Sequence, residues 1–459
     1  MPDSWREAQV AMLFKKGDPA LAANYRPISL LAVSYKMFAA ILLDRLREAG
    51  AESRIWHSQF GFKRGSGTRD ALFAARRLIE KTWEEKHGTL TFLSLDWAKA
   101  FDSLDPGALQ VALKRFGCPG PFIEMISAIY DGRSFVVADG GVTSGRRTQH
   151  NGISQGCPLS PFLFIMVMTV LLHDAQQEMG PQTLQVPLSE LVYADDTLLL
   201  GTSEVFLQRL MECIGEVGGR YGLSFNWDKL EAMPVRMAAQ FQTPAGDDIP
   251  SKESLIYLGS SLHADGRSGS EINRKLGMAR ADFDAVSRIW GHASISRSRK
   301  LKIFEACILS KLTYGLMPMC LSKVEQRRLD GFQCRCLRRI AKVAPSYYSR
   351  ISNSTVYEMT RQRPLSQMLQ QQRMIYFGHL ARRGPDDAVR GLVLEPGSYD
   401  LRATEDTRRR GRPRKTWAKD VMRDCLETAG GKQNLELYWK AEPQAAAAWR
   451  RTVLLGPAR

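Results

Sequence analysis

The sequence predicts an α+β protein with its strands gathered in residues 1–260 and helices thereafter, and three stretches predict it. Residues 89–95 are apolar on both alternating faces, the mark of a strand buried in the middle of a sheet. Residues 191–193 and 197–200 are apolar half-strands flanking Ala194-Asp195-Asp196, which reads as a tight hairpin carrying two carboxylates at its tip. From Ser268 onward apolar residues recur at three- and four-residue steps, helix after helix.

At 459 residues the chain exceeds the usual limit for one core, so two or more domains are expected, divided at 1–260, 261–345 and 346–459. A composition of 44% hydrophobic and 24% charged residues excludes wholesale disorder. A formal charge of +16 favours a polyanionic partner over a membrane surface. Eight cysteines without a Cys-x-x-Cys pair indicate neither a disulfide framework nor a zinc ribbon, and Cys334 and Cys336 read as helix residues. The longest apolar run, residues 161–172, is far short of the ~20 residues a membrane span needs. There is no signal-peptide pattern at the start. An intracellular, soluble, nucleic-acid-facing protein is the expectation.

In chain order, residues 5–13 lead to a basic turn, Lys15-Lys16-Gly17-Asp18-Pro19. The stretch Asn24-Tyr25-Arg26-Pro27-Ile28-Ser29-Leu30-Leu31 is extended, with Pro27 biasing Arg26 away from helix. Residues 35–47 predict a helix with Phe38, Ile41, Leu42 and Leu46 on its apolar face. Residues 59–67 form a basic, glycine-punctuated loop, suited either to close approach of a phosphate or to a plain turn. Thr68 caps the next helix, which Gly88 ends. The buried strand 89–95 then delivers Asp96 at its mouth, rigid yet accessible. Asp105 and Pro106 start a helix that Gly117 stops. Residues 134–137 and 146–150 predict a hairpin, and residues 162–172 a buried helix. Ser203 caps a helix ending at Gly222, and residues 222–229 read as a return strand. A short strand piece at 256–259 precedes helices over 272–290, 301–312 and 323–342. The last carries seven basic residues against two acids, an excess that favours a phosphate backbone. Beyond residue 345 periodicity weakens, and residues 408–415 are the densest charge run.

Three carboxylates converging from separate strands, Asp96, Asp195 and Asp196, suit two divalent cations ~3.5–4 Å apart that activate a hydroxyl and stabilise a leaving oxygen. Mg²⁺ is the expected metal, with Mn²⁺ as the alternative. No His-rich zinc site or nucleophile–base pair competes with this reading. His379 could join Cys336 or Cys425 around a metal, but a structural histidine is the favoured reading.

These residues resemble the reverse transcriptases of non-long-terminal-repeat (LINE-type) retrotransposons. The resemblance runs through residues 24–31, Gln59-Phe60-Gly61-Phe62, Leu95-Asp96 to Phe101-Asp102, residues 152–160, Tyr193-Ala194-Asp195-Asp196 and Tyr257-Leu258-Gly259, in the family's order. It implies a right-hand polymerase: fingers and palm over 1–260, a helical thumb over 261–345 and a basic nucleic-acid-binding region over 346–459. It implies an RNA-directed DNA polymerase with an RNA template, a DNA primer and deoxynucleotides as partners and no membrane. Asp96, Asp195 and Asp196 match its metal-binding carboxylates, with the Trp97 carbonyl as a further ligand. Lys229 matches a lysine that protonates pyrophosphate, and an ordinary exposed charge is the rival reading. Phe101 matches the residue that excludes a 2′-hydroxyl, Gln155 and Gly156 the pair beside the nucleotide, and Arg26 a residue near the triphosphate. Tyr257, Leu258 and Gly259 match a primer-grip hairpin, where plain packing is the alternative. Arg335, Arg338, Arg339, Arg412 and Arg414 are expected primer or template contacts, the last two within or beside a segment that fits an AT-hook, a nuclear signal or general contact. Relative to the family the chain is expected to be an N-terminally truncated copy lacking the endonuclease, and Leu230 replaces a small polar residue. A catalytically silent nucleic-acid-binding remnant and a group II intron maturase-like protein are the alternatives.

Overall fold

The computed structural model describes residues 1–180, 188–403 and 414–455. They form two compact units, residues 1–71 with 90–252 and residues 72–89 with 253–459.

The first unit is organised on an antiparallel sheet in the order Glu190–Tyr193, Asp196–Gly201, Leu90–Leu95, Glu231–Val235. Leu90–Leu95 is buried along almost its whole length, as its two-sided apolar pattern requires. The helix Ser160–Met179 packs into the same core and is buried on nearly every face through Leu172, so it is hydrophobic all round. The helix Glu204–Gly219 starts where Ser203 Oγ accepts from the Phe206 N–H. At Pro106–Phe116 the Asp105 carboxylate accepts from the Ala108 N–H at 2.7 Å, and Gly117 closes the helix in the left-handed conformation. A second sheet sets Glu7–Phe14 antiparallel to Tyr25–Leu30 and parallel to Ser134–Asp139, which also pairs with Arg147–Thr148.

Two expectations fail here. The return strand is Glu231–Val235, while Trp227–Lys229 is a short helical turn. Residues 224–226 are already spent bonding the mouth of the central strand, so ladder pairing starts only afterwards. The helix Val33–Glu48 buries Tyr35, Ala39, Leu42, Leu43 and Leu46, whereas Ile41 is exposed.

The second unit opens with most of the helix Thr68–Glu84 and the hairpin Ser254–Tyr257/Ser260–His263. Leu258 and Gly259 both have positive φ, as a two-residue turn matching strand twist requires. The helix expected over 272–290 is two, Gly269–Ala285 and Ser287–Gly291. The helix Lys323–Ala341 begins with a reciprocal cap between Ser322 and Glu325. Its core includes Val356, Leu365 and Leu369, so no break falls at residue 345. Beyond that residue the helices pack through large aromatics: Trp417 stands 4.8 Å from Phe73 and 5.7 Å from Phe377, and donates to the Met317 carbonyl at 2.8 Å. Helix residues 72–84 belong to this unit because Arg76, Arg77 and Trp83 donate to the carbonyls of Ser261, Pro318 and Ala264. The division at 1–260, 261–345 and 346–459 is therefore not the division into compact units. Among the described residues no helix is long and apolar enough to cross a membrane.

Trp417→Ala should cost ~3–5 kcal/mol in the second unit, seen as an early transition in urea unfolding; a loss below ~1 kcal/mol would contradict the central place of this ring.

Candidate active site

Leu95 is the register partner of Thr197, so the next residues outward on the two adjacent strands are Asp96 and Asp196. Tyr193 pairs with Asp196, which leaves Ala194 and Asp195 as the whole reversal. Ala194 has φ 59°, a conformation that costs an L-residue ~1–2 kcal/mol. Gln59, buried behind the turn, holds it. Its Oε1 accepts from the N–H groups of Ala194 and Gly61, both at 2.8 Å, and its Nε2 donates to the Ala194 carbonyl at 3.4 Å. A Cβ on Gly61 would stand 2.6 Å from Ala194 N, so the loop's glycine serves close approach to the hairpin.

At the mouth of the central strand, the Asp96 carbonyl accepts from the Asn226 N–H at 2.7 Å and the Ala98 N–H donates to the Ser224 carbonyl at 2.8 Å. Buried Trp97 packs on Phe225 with ring centroids 4.3 Å apart. This backbone pairing carries Lys229 to the site, where its Nζ meets Asp96 Oδ2 at 2.9 Å.

Burial pushes the Asp195 carboxyl above its usual range, and the Asp96 charge adds to the rise while Arg26 and Lys15 oppose it. Asp196 is pushed up to about 6 by burial first, then by Asp195 and Asp96, against Arg26. Its solvent-facing edge screens part of that repulsion. Mutually repelling carboxylates, one countered by an ammonium, are a donor set that fits a hard divalent cation. With Asp96 turned to Lys229, no three His, Cys, Asp or Glu side chains among the described residues are drawn up as a ready ligand set.

The nucleotide-facing candidates are tied to this centre. Phe101 lies flat on Phe164, centroids 4.6 Å apart, and Phe164 is fixed in the buried helix. Gln155 Nε2 donates to Asp102 Oδ1 at 2.8 Å, and its carbonyl accepts from the Ser29 N–H at 2.7 Å. Gly156 has φ 126°, and a Cβ there would stand 2.4 Å from the Ser29 carbonyl oxygen. Arg26, exposed on the same strand as Ser29, is close enough to favour ionisation of both hairpin carboxylates. Arg133 is buried and braces the loop from below, donating to the Gly152 carbonyl at 2.7 Å and to Ser154 Oγ at 3.2 Å. Gln59, Asp102, Arg133 and Lys15 are the site's support that sequence reasoning missed. Gln59 and Asp102 stand inside the quoted motifs, and nothing local signals Arg133.

In the second unit Tyr257 is buried, the Leu258 carbonyl accepts from Tyr314 Oη at 2.7 Å, and the Gly259 carbonyl accepts from Arg274 at 3.0 Å. Arg335 and Arg339 are exposed, Arg339 pairing with Asp284 at 3.2 Å. Arg338 corrects the expectation: it is buried and donates to the carbonyls of Ala344 and Ile351 and to Asn353 Oδ1. It faces inward because its helix position shares the side of Cys334, Leu337 and Ala341. Arg414 lies 4.0 Å over the Trp83 ring and donates to the Asp265 carbonyl at 2.8 Å, so its described contacts are structural. Arg412 and the AT-hook-like segment lie outside the described residues. His379 lies 3.2 Å from Arg383 and in no metal-ligating group among the described residues.

The palm-like sheet, the register of its carboxylates and the braced hairpin define a right-hand polymerase centre. Residues 14–262 match the reverse transcriptase (RNA-dependent DNA polymerase) family, more than half of the chain, and the chain belongs to that family. The Xenopus laevis "Transposon TX1 uncharacterized 149 kDa protein" is 28% identical over 72% of this chain and 26% of its own length. The Pol polyprotein of type-2 retrotransposable element R2DM from Drosophila melanogaster is 28% identical over 58% of this chain and 26% of its own. The "Probable RNA-directed DNA polymerase from transposon X-element" of the same fly is 31% identical over 68% of this chain and 35% of its own. The chain thus spans about a quarter to a third of these relatives. The non-long-terminal-repeat type suggested by the motifs agrees with them.

Because the Asp196 pKa is raised, the folded chain keeps a proton that the unfolded chain releases between 3.8 and about 6, and stability falls as pH rises through that window. Asp196→Asn should therefore raise the Tm in EDTA at pH 7.5, with the gain gone near pH ~4. Equal Tm values at pH 7.5 would show that the carboxylate carries no repulsive cost there.

Proposed function

We propose that this chain is an RNA-directed DNA polymerase of a non-long-terminal-repeat retrotransposon, adding deoxynucleotides to a DNA 3′ end on an RNA template. One observation carries the reading: Asp96 and the Asp195-Asp196 turn meet on adjacent strands while repelling one another. Asp96, Asp195, Asp196 and the Trp97 carbonyl would hold two Mg²⁺ ions; Mn²⁺ is the substitute. Bound there, the ions would lower the pKa of the attacking 3′-hydroxyl and neutralise the leaving pyrophosphate.

The chain's own residues do the rest. Arg26 presents a fixed guanidinium fork to the triphosphate. Phe101, held flat by Phe164, blocks the space a 2′-hydroxyl would need. Gln155 and Gly156 form the wall beside the nucleotide, and Gly156 leaves room for the strand that carries Arg26. Lys229 balances Asp96 in the metal-free state and stands ready to give a proton to pyrophosphate. Residues 1–260 act as fingers and palm, 261–345 as thumb, and 346–459 as the basic region that follows. Tyr257, Leu258 and Gly259 position the primer, and Arg335 and Arg339 contact its backbone. The basic run at 408–415 supports a nuclear location.

Primer extension on an RNA template with Mg²⁺ tests the centre: Asp195→Ala should lower the rate at least ~100-fold, and unchanged extension would sink the metal assignment. Phe101→Val should relax exclusion of ribonucleotides by ~10–100-fold in the ratio of kcat/KM values. An unaltered ratio would remove Phe101 from the gate.

A further inference from the structure

At the end of the basic helix Lys323–Ala341 the chain turns through Pro345 into Ser346–Ser349. Tyr347 and Tyr348 there are 64% and 73% exposed, with ring centroids 4.1 Å apart and planes tilted by 41°. Rings of this size rarely face water without a use, since covering them with apolar or π surface is favourable. Their backbone is anchored. The buried Arg338 guanidinium donates to the Ala344 carbonyl at 3.0 Å and to the Ile351 carbonyl at 2.7 Å, bracketing the pair on both sides. Within the turn, the Tyr348 N–H donates to the Pro345 carbonyl at 3.0 Å and Ser349 Oγ to the Ala344 carbonyl at 3.0 Å. The two rings are thus presented by a held turn.

Exposed cations precede and follow them in the chain, and the guanidinium of one, Arg339, lies 5.7 Å over the Phe283 ring. Arg335, Arg339 and Lys342 are exposed at steps of four and three along one face of the helix, which ends at Lys342, and Arg350 is exposed just after the tyrosines. Residues 331–357 contain five Arg or Lys and no Asp or Glu. Asp284 offsets Arg339, and Arg335 has no ion-pair partner among the described residues. A protein partner would have to bring both an acidic face and an aromatic groove. A single-stranded nucleic acid brings both features in every nucleotide: a π-face to stack and a phosphate to pair. A duplex offers phosphates and hides the base faces.

We infer that residues 335–350 form a docking platform for single-stranded nucleic acid, bases stacking on Tyr347 and Tyr348 and flanking phosphates meeting Arg335, Arg339, Lys342 and Arg350. The inference goes beyond the backbone contacts assigned to Arg335 and Arg339 above and rests on the nucleic-acid reading of the chain. It does not depend on polymerase chemistry.

The test is fluorescence anisotropy with the full chain in EDTA, without nucleotides, using labelled dT20, rU20 and a DNA duplex over a range of salt. The variant Tyr347→Ala/Tyr348→Ala should bind single strands about tenfold or more weakly, with duplex affinity and salt slope unchanged. Tyr347→Phe/Tyr348→Phe should bind like the parent, since stacking needs the ring and not the hydroxyl. Arg335→Ala should instead flatten the salt slope on both forms. A loss on dT20, rU20 or both supports the platform and tells which strand it takes. Parental affinity in the double alanine variant, or an equal loss in the phenylalanine variant, overturns it. The Asp195→Ala chain should bind as the parent does, so an inactive polymerase centre and a missing platform give different results.

Discussion

One buried side-chain amide holds the centre in shape. The hairpin tip must reverse in two residues so that Asp195 and Asp196 project beside Asp96, and this forces Ala194 to positive φ. Gln59 suits the task because its oxygen can accept two backbone N–H groups while its NH₂ reaches the Ala194 carbonyl. A glutamate could not donate, and a leucine would leave buried backbone groups unpaired. The same segment closes the outer edge of the hairpin strand, Phe60 N–H donating to the Val192 carbonyl and Val192 N–H to the Ser58 carbonyl. The edge strand leading into the charged turn is thereby paired and kept from slipping.

From that fixed tip, rigidity passes to the nucleotide side through short links. Asp102 follows Phe101, accepts from Gln155, and Gln155 in turn accepts from Ser29 on the strand of Arg26. Gly156 lets this strand approach to a distance no side chain would allow. Arg133 supports the loop through two of its residues. The backbone of the strand that carries Arg26 is therefore tied to the loop that carries Gln155. Burial raises the Asp102 carboxyl above its usual range, with Gln155, Lys99 and Lys15 acting against the rise.

How much of this could be read beforehand follows from the range of each interaction. The central strand, the Ser203 and Asp105 helix starts and the hairpin that carries Asp195 and Asp196 are written in adjacent residues, and they stand where local patterning puts them, except that Asp196 already belongs to the strand after the turn. The pairing of Asp96 with the hairpin needed only the order of the motifs. Gln59 acts on a residue 135 positions away, and no local spacing reports that. Ile41 was misplaced because a helix with three apolar stripes does not reveal which of them lacks a neighbour. The region after 345 is hard to read because large buried rings, Trp417, Trp439 and Trp449, join its core at irregular intervals.

Arg338 exposes a wider limit of counting charges. Arg76, Arg77, Arg133, Arg338 and Arg390 are all buried, and each donates to a backbone carbonyl: Arg76 to Ser261 on a hairpin strand, the others to Pro318, Gly152, Ile351 and Glu395 in turns and loops. A guanidinium has five donors in a planar fork, so one side chain can satisfy several carbonyls that no helix or strand would reach. In this chain a share of the formal +16 therefore serves as internal scaffolding. Only the charges left outside face solvent, and in the second unit Arg335, Arg339, Lys342 and Arg350 are among these. The inward arginine at 338 anchors the same turn that presents Tyr347 and Tyr348. Burying one cation of the basic helix thus shapes the surface on which its neighbours remain available.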